Sequence, residues 1–143
     1  MRDDPALAMD IPALHRFMAE AFPQVAADFR IEALAPDAIT VRLLAAERHL
    51  RPGGTISGPA MFALADVSVY LAILARIGPV ALAVTTSCSI DFMRKPAAGR
   101  DLVADARLLK LGRVLAVGDV LIRAEGTGPV VARATATYSI PPR

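Results

Sequence analysis

One carboxylate stands inside an otherwise apolar helical segment. Over residues 59–77 almost every side chain is apolar or small on all sides, and Asp66 is the only acid among them. A buried carboxylate is strongly disfavoured unless it is hydrogen-bonded, paired or protonated. Two interpretations stay open from the residues alone: a structural aspartate bonded to backbone or to a loop, or a carboxylate in a cleft that acts as a general base.

The loop before this helix is suited to binding an anion. Residues 51–58 read Arg-Pro-Gly-Gly-Thr-Ile-Ser-Gly and lead directly into the helix. Free N–H groups at a helix N-terminus favour negative charge, including the oxyanion that develops on a reacting carbonyl. Gly58 lets a ligand approach the backbone closely, whereas Ser57 is most simply the N-cap. The glycines fit neither phosphate-loop pattern.

The segments around these residues predict an α+β domain. Apolar residues at three- and four-residue spacing predict a first helix that Asp10 caps and Pro23 stops, and residues 29–34 and 39–44 predict a hairpin. The apolar helix follows, and then four consecutive strands. An antiparallel sheet wrapped around one long helix satisfies this order. The predicted inward faces of the four strands are Leu82, Val84, Cys88, Ile90 and Phe92; Leu102, Ala104, Ala106 and Leu108; Val114, Ala116, Val120 and Ile122; and Val130, Ala132, Ala134, Ala136, Tyr138 and Ile140.

Length and hydropathy indicate one domain that associates with copies of itself. The 143 residues suit a single domain, with residues 1–23 as an N-terminal helix and 24–143 as the core. A mean hydropathy of +0.46 is high for a short soluble chain. Because one sheet can wrap only part of an apolar helix, the remaining surface predicts a partner subunit, in a dimer or a tetramer.

Charge and residue types argue against nucleic-acid, membrane and metal partners. The formal net charge is only +2, Trp is absent, and no run of Lys and Arg alternates with aromatic residues. Asp66 and Arg76 interrupt the apolar segment, which argues against a membrane span. No group of His, Cys and acidic residues has metal-ligand spacing. The lone Cys88, and acidic N-terminal residues that do not fit a signal peptide, predict a cytoplasmic protein.

Two segments together resemble a known family. Residues 57–66, SGPAMFALAD, are similar to the His-Gly-Gly segment and following helix of the PaaI-type hot-dog acyl-CoA thioesterases. Residues 83–94, AVTTSCSIDFMR, resemble the strand that the family places after that helix. The resemblance covers about residues 51–140 and implies the hot-dog fold. Three later features resemble those of the family in type and in their order along the chain. They are the turn over 95–99, the turn at 112–113 and the terminal strand ARATATYSI.

The resemblance implies hydrolysis of an acyl-CoA thioester to a free acid and CoA. Asp66 lies nine positions after Ser57, as the family's catalytic acid lies after its histidine, and is the implied general base or nucleophile. The Gly58 N–H would hold the thioester oxygen, and Thr85 falls where related enzymes carry a hydroxyl that positions the water. Thr86 is a further candidate for substrate binding because it breaks the apolar face of its strand. CoA is then part of the substrate, and no cofactor is implied.

The sequence departs from the family pattern at two positions. The family's histidine is Ser57 here, which makes Ser57 the candidate in that catalytic position, and its second glycine is Pro59, which has no N–H. An asparagine of related enzymes falls at Arg51, and we expect Arg51 to orient the substrate or to meet a CoA phosphate. Gly54 in the same loop is a further substrate-binding candidate.

Cations on the loops at strand ends are candidates for binding the CoA phosphates, because guanidinium and ammonium groups pair well with phosphate oxygens. The alternative for each is ordinary solvated surface charge. The candidates are Arg94, Lys95, Arg100 and Arg113.

Two other functions on the same fold stay open. A non-catalytic acyl-CoA binding module is favoured by the loss of the histidine, but it has no need of Asp66 beside the thioester. An enoyl-thioester hydratase needs an acid and a histidine paired for proton transfer, and the sequence offers no clear pair near Asp66.

Overall fold

The computed structural model describes residues 6–126 and 128–142. Residues 1–5, part of the segment predicted not to be a signal peptide, lie outside this description. The helices are α1 (Ile11–Ala21), α2 (Pro23–Ala26) and α3 (Gly58–Ile77), and the strands are β1 (Phe29–Ala35), β2 (Ala38–Leu43), β3 (Val84–Phe92), β4 (Leu102–Leu111), β5 (Leu115–Ala124) and β6 (Val130–Ser139).

The described strands form one antiparallel sheet that wraps around α3. Their order is β1-β2-β4-β5-β6-β3, so β1 and β3 are the two edges. Helix α3 packs on the sheet and has 13 of its 20 residues buried. This is the α+β arrangement of one enclosed helix and a curved sheet, and it confirms the hot-dog architecture that the resemblance implied.

Both major helices begin at the predicted caps. The Asp10 side chain accepts a hydrogen bond from the Ala13 N–H at 2.9 Å, and Ser57 Oγ accepts one from the Ala60 N–H at 3.2 Å. These bonds satisfy N–H groups that a helix N-terminus leaves without partners. Gly78 ends α3 with a φ of 96°, which favours glycine, and Asp37 makes the β1–β2 turn with a φ of 67°.

By length and composition α3 would be able to cross a membrane. However, 67% of its apolar window is buried inside the protein. The helix therefore has the surroundings of a core helix in a soluble domain, in line with the expectation that Asp66 and Arg76 argue against a membrane span.

The predicted inward face of β3 is wrong in its first part. Leu82 and Val84 are 79% and 56% exposed. The pairing with β6 shifts by one residue between Thr85 and Ser87, which is a β-bulge at Thr86. Because an extra residue reverses the alternation of side chains, Thr85 points to the inner side instead of Val84.

The other predicted inward faces hold, except at Val114 and at Val130, which is only half-buried. In β4 all four predicted residues are buried, and in β5 Ala116, Val120 and Ile122 are buried. Val114 is 64% exposed, because it precedes β5 and lies in the turn rather than in the strand. In β6 the residues from Ala132 to Ile140 on the predicted face are buried, Tyr138 among them.

Candidate active site

The Asp66 carboxylate is held by two hydroxyl groups from the edge of the sheet. Thr85 Oγ1 of β3 and the Tyr138 hydroxyl of β6 each donate a hydrogen bond to Asp66 Oδ1, and both distances are 2.7 Å. The Tyr138 oxygen also lies 3.1 Å from the main-chain oxygen of Asp66. The partners of Asp66 are thus strand side chains rather than a loop, and these bonds join helix to sheet without deciding between a structural and a catalytic carboxylate.

Burial and the Asp66 carboxylate raise the pKa of two neighbouring groups. Burial raises the pKa of the Tyr138 hydroxyl far above its ordinary value, and the charge of Asp66 raises it further. Burial and Asp66 likewise raise the pKa of the Cys88 thiol. Both groups therefore stay protonated at neutral pH, so that Tyr138 acts as a hydrogen-bond donor and Cys88 is not a thiolate nucleophile.

Asp66 opens into a small, mostly apolar pocket of about 290 Å³. The end of α1 supplies one wall with Ala21 and Phe22, and α3 supplies Val67 and Tyr70. Aromatic contacts fix this wall, since the Tyr70 ring lies 6.5 Å from that of Phe17 and 6.0 Å from that of Tyr138. The pocket is thus suited to an apolar group whose reacting end meets a carboxylate.

A second cleft, of about 410 Å³, lies at the N-terminus of α3. Gly58 lines it together with Arg51, Arg94 and Lys95, and none of the described residues that line it is acidic. Because Ser57 Oγ bonds Ala60 and Pro59 has no N–H, the Gly58 N–H is the free donor of this helix start among the described residues. The cleft combines an N–H group, the positive end of a helix dipole and three cations, which suits an anionic ligand.

The remaining predicted site residues lie elsewhere in the fold. Arg113 is in the β4–β5 turn, at the end of the sheet where β3 begins, whereas Arg94 and Lys95 follow the other end of β3. Arg100 donates to the main-chain oxygen of Glu125. The exposed Thr86 donates to the main-chain oxygen of Thr137 at 3.3 Å, on the bulge.

Gly54 borders a different cavity from Gly58. Its neighbours there include Leu50 and Arg100, and its N–H closes a tight turn on the Arg51 oxygen at 3.0 Å. The structure therefore brings Arg51, Gly58, Arg94 and Lys95 together, but it does not bring Gly54 or Arg113 into that cleft.

Sequence reasoning missed Tyr138 as a polar group of the site. Its position was predicted as part of an apolar inward face, and that position is correct. The available signal was a lone hydroxyl-bearing ring in an alanine-rich face, since a buried tyrosine usually finds a partner for its O–H. The missed contributions of Phe22 and Tyr70 had no such signal, because both read as core residues.

Comparison with known proteins assigns this arrangement to a family. The family model described as the thioesterase superfamily matches residues 53–131, which is more than half of the chain. The chain belongs to the thioesterase superfamily. Thioester hydrolysis is accordingly its general activity, and the matched residues include Gly58 and Asp66.

Solved structures of other thioesterases agree with this assignment. A candidate thioesterase of a Silicibacter species is 62% identical, with a TM-score of 0.90, over 95% of this chain and 94% of the other. The phenylacetic acid degradation protein PaaI of Thermus thermophilus, solved as a point mutant, is 33% identical, with a TM-score of 0.71, over 83% of this chain and 99% of that one. The second match confirms the predicted PaaI-type family.

A more distant thioesterase neighbour supports the fold alone. A hypothetical thioesterase of Streptococcus pneumoniae, solved with coenzyme A, is 22% identical, with a TM-score of 0.72, over 94% of this chain and 98% of that one. Comparison with curated protein sequences finds no match.

Proposed function

We propose that this thioesterase hydrolyses acyl-CoA thioesters and that Asp66 is the carboxylate that carries the reaction. The observation that supports this most strongly is the arrangement of Asp66 itself: a carboxylate in a small apolar pocket, with one oxygen held by two hydroxyl donors. A carboxylate that served only to join helix and sheet would not need an opening into a pocket.

The reaction at such a site is hydrolysis of the thioester by water. As general base, Asp66 takes a proton from a water molecule while the water oxygen bonds to the thioester carbonyl carbon. The resulting oxyanion is stabilised by a backbone N–H, and the C–S bond then breaks. The CoA thiolate takes up the proton from Asp66, so that one thioester and one water give one carboxylic acid and one thiol.

A nucleophilic role for Asp66 leads to the same products. Its carboxylate oxygen would bond to the acyl carbon and expel the thiolate, and water would then hydrolyse the mixed anhydride. A single turnover in ¹⁸O-labelled water tests the nucleophilic route. Label in the Asp66 carboxylate establishes an anhydride that water opens at the Asp66 carbonyl carbon, whereas label only in the product acid excludes that opening.

The oxyanion donor and the carboxylate of one chain are too far apart to serve one substrate. Gly58 and Asp66 are eight positions apart on the same helix, which is about 12 Å along the axis at ~1.5 Å per residue. A thioester carbon and its oxygen are bonded neighbours. Each complete site therefore needs the Gly58 cleft of one copy and the Asp66 pocket of another.

Edge strand β3 is suited to join two such copies. Thr85, its second residue, lies beside Asp66, and Phe92, its last, lies against Gly58. The strand carries exposed apolar residues, among them Val84 and Phe92. An edge strand exposes unpaired N–H and C=O groups that bind another strand. Two β3 strands paired antiparallel about a two-fold axis would bring the Gly58 end of one copy to the Asp66 end of its partner.

The cations of the Gly58 cleft support CoA as the thiol component. Arg51, Arg94 and Lys95 converge there without an acidic neighbour in the lining, and CoA carries phosphates that such groups bind. The pneumococcal neighbour, which was solved with coenzyme A, is in line with this choice.

Turnover of acyl-CoA substrates tests the proposal directly. We expect the wild type to release CoA from at least one member of a panel of aromatic and aliphatic acyl-CoAs, followed with a thiol-reactive dye, and we expect Asp66→Asn to lose this activity. The matched control is Asp119→Asn, because Asp119 on β5 also accepts a bond from a threonine, Thr135, but on an exposed part of the sheet. Calorimetry with CoA esters and size-exclusion chromatography establish that the variants still bind and assemble.

The replacement of the family's histidine by Ser57 defines the competing outcome. If no thioester is turned over while CoA esters bind to both wild type and Asp66→Asn, the protein is a binding module on a thioesterase fold. The hydratase alternative receives no support from the site, because no histidine lines the Asp66 pocket among the described residues.

A further inference from the structure

The two oxygens of the Asp66 carboxylate are in unequal surroundings. Oδ1 accepts hydrogen bonds from Thr85 and Tyr138, both at 2.7 Å. Among residues 6–126 and 128–142, no donor bonds Oδ2. A carboxylate oxygen that already accepts two hydrogen bonds is less available to a proton or to an acyl carbon than one that accepts none.

We propose that Tyr138 is a positioning residue that, together with Thr85, fixes Asp66 through Oδ1 and thereby makes Oδ2 the reacting oxygen. This inference rests on the proposed function and names the atom that performs it. Neither the sequence pattern nor the resemblance pointed to Tyr138.

The register of the sheet supplies the two donors as a pair. Thr85 and Tyr138 are direct partners across β3 and β6, so their side chains project from the same side of the sheet. The bulge at Thr86 follows immediately and turns Thr85 inward. Without that extra residue the alternation of β3 would place Thr85 on the outer face, and Tyr138 alone would hold the carboxylate.

The Tyr138 hydroxyl acts as a hydrogen-bond donor to Asp66 and not as a proton acceptor. Tyr138 is 3% exposed and its ring packs against Tyr70, so its hydroxyl is shielded from bulk solvent although the residue borders the Asp66 pocket. Burial and the adjacent carboxylate raise its pKa, which keeps the proton on the phenol oxygen. A protonated donor stabilises the ionised carboxylate and resists its rotation about the Cβ–Cγ bond.

Among the residues that the structure describes, few titratable groups surround the Asp66 carboxylate. They are Tyr138 from β6, Tyr70 from α3 and Cys88 from β3, and the end of α1 contributes only Ala21 and Phe22. Burial raises the pKa of all three, so they are uncharged at neutral pH and place no charge beside Asp66.

The test compares Tyr138→Phe with Thr85→Val in the full-length protein. We expect each variant to lower kcat by about 10- to 100-fold, the value of one hydrogen bond to a charged group, while KM changes by less than about 3-fold. Loss of a donor also weakens the hold on the ionised carboxylate, so the acidic limb of the pH profile of kcat should move to higher pH. Thr85→Ser, which keeps the hydroxyl, should restore both kcat and the acidic limb.

Controls separate this role from a structural one. Thr135→Val removes a threonine bond to Asp119 on the exposed part of the sheet and should leave kcat and the pH profile unchanged. If Tyr138→Phe fails to fold, 3-fluorotyrosine at position 138 replaces it as the probe. Its phenol is the stronger donor, so the acidic limb should move to lower pH.

Different results would overturn the role of Tyr138 and the proposed function. A Tyr138→Phe variant with wild-type kcat and an unmoved acidic limb, beside an inactive Asp66→Asn, overturns the role of Tyr138 and leaves the proposed function intact. An unmoved limb in the fluorotyrosine protein overturns it equally. Absence of turnover in the wild type itself overturns the proposed function, and with it this inference.

Discussion

Gly118 of β5 packs directly against Val69 of α3. A Cβ atom added at Gly118 would lie 2.8 Å from both Cγ1 and Cγ2 of Val69, a separation that carbon atoms do not adopt. Val69 is completely buried, so its methyl groups cannot move aside into solvent. The close approach of sheet to helix at this point therefore depends on the absence of a side chain.

Gly118→Ala should destabilise the protein although it adds a single methyl group. Overpacking a well-filled core typically costs about 1–3 kcal/mol, and we expect the free energy of unfolding to fall by that amount. Urea unfolding followed by circular dichroism measures it. Gly128→Ala is the control, because the space around Gly128 is open and its unfolding free energy should change by less than about 0.5 kcal/mol.

Trimming the opposing side chain should rescue that loss. Val69→Ala alone leaves a cavity and is destabilising, but combined with Gly118→Ala it makes room for the new methyl group. We expect the double variant to be more stable than the sum of the single effects by about 0.5–3 kcal/mol. Additive effects in this cycle would contradict a direct clash between the two positions.

Acid stability should depend on the ion pair of Glu32 with Arg42. Arg42 donates to Glu32 Oε1 at 2.6 Å and also pairs with Asp101 and Glu125. The hydrogen bond from Arg42 lowers the pKa of Glu32 below its ordinary value, and partial burial opposes this only in part. A carboxylate whose pKa is lowered by folding stabilises the fold above its unfolded pKa of about 4.3, and this contribution is lost as the pH falls through the folded value.

Glu32→Gln is therefore expected to lower the melting temperature at pH 7 and to reduce its decline below about pH 4.3. The effect at pH 7 should stay within about 1 kcal/mol, because the Glu32 side chain is 30% exposed. Glu20→Gln, at an exposed position on α1, is the matched control. Parallel stability curves for wild type and Glu32→Gln between pH 7 and 3 would show that the pair contributes nothing.

Most of the fold could be predicted because the sequence patterns are long and regular. Helix α3 is apolar on all sides between a cap at Ser57 and a stop at Gly78, and no other element competes for those residues. The bulge at Thr86 could not be predicted, because one extra residue leaves composition and hydropathy unchanged while it reverses the faces of the strand. The error at Val84 follows from that single insertion, whereas Leu82 lies in the turn before β3.

For the candidate site, the sequence could predict only those residues whose type is unusual for their surroundings in the chain. Asp66 is a lone acid among apolar residues, so its unusual chemistry is visible in the chain. The contact of Asp66 with Tyr138 joins residues 72 positions apart and depends on the β3–β6 register. Such a contact has no signature in local spacing, and only the folded sheet brings it about.

Complementation between two inactive variants should show that each site is shared by two copies. We expect Asp66→Asn and Gly58→Val each to be inactive, the latter because a Cβ at Gly58 already meets the Phe92 ring at 3.3 Å and the added methyl groups block the cleft. In a mixed dimer one site carries both changes and the other carries neither. Co-expression with two affinity tags should therefore give mixed dimers with about half of the wild-type turnover, as the two-fold symmetry of the proposed dimer requires.

The control for complementation pairs Asp66→Asn with a chain that carries both Asp66→Asn and Gly58→Val. No site in that dimer has an intact carboxylate, so it should stay inactive. Inactive mixed dimers in the main experiment, with both variants folded and assembled, would contradict a site built from two chains.

Phe22 should limit the length of the acyl group. Its side chain and that of Tyr70 close the Asp66 pocket at about 290 Å³, a volume suited to a compact acyl group rather than to a long chain. Phe22→Ala removes this wall and opens space toward α1. We expect the acyl-CoA chain length that gives the highest kcat/KM to increase, with each newly accommodated methylene group worth about 0.8 kcal/mol, or roughly fourfold in kcat/KM.

A series of straight-chain acyl-CoAs measures this change, and Leu109→Ala, at an exposed apolar position on β4, is the control. The control should retain the wild-type chain-length profile, since Leu109 does not line the pocket. If Phe22→Ala prefers the same chain length as the wild type and only its kcat/KM values are lower, the acyl group leaves the pocket in another direction. In that case Phe22 would stabilise the end of α1 without selecting the substrate.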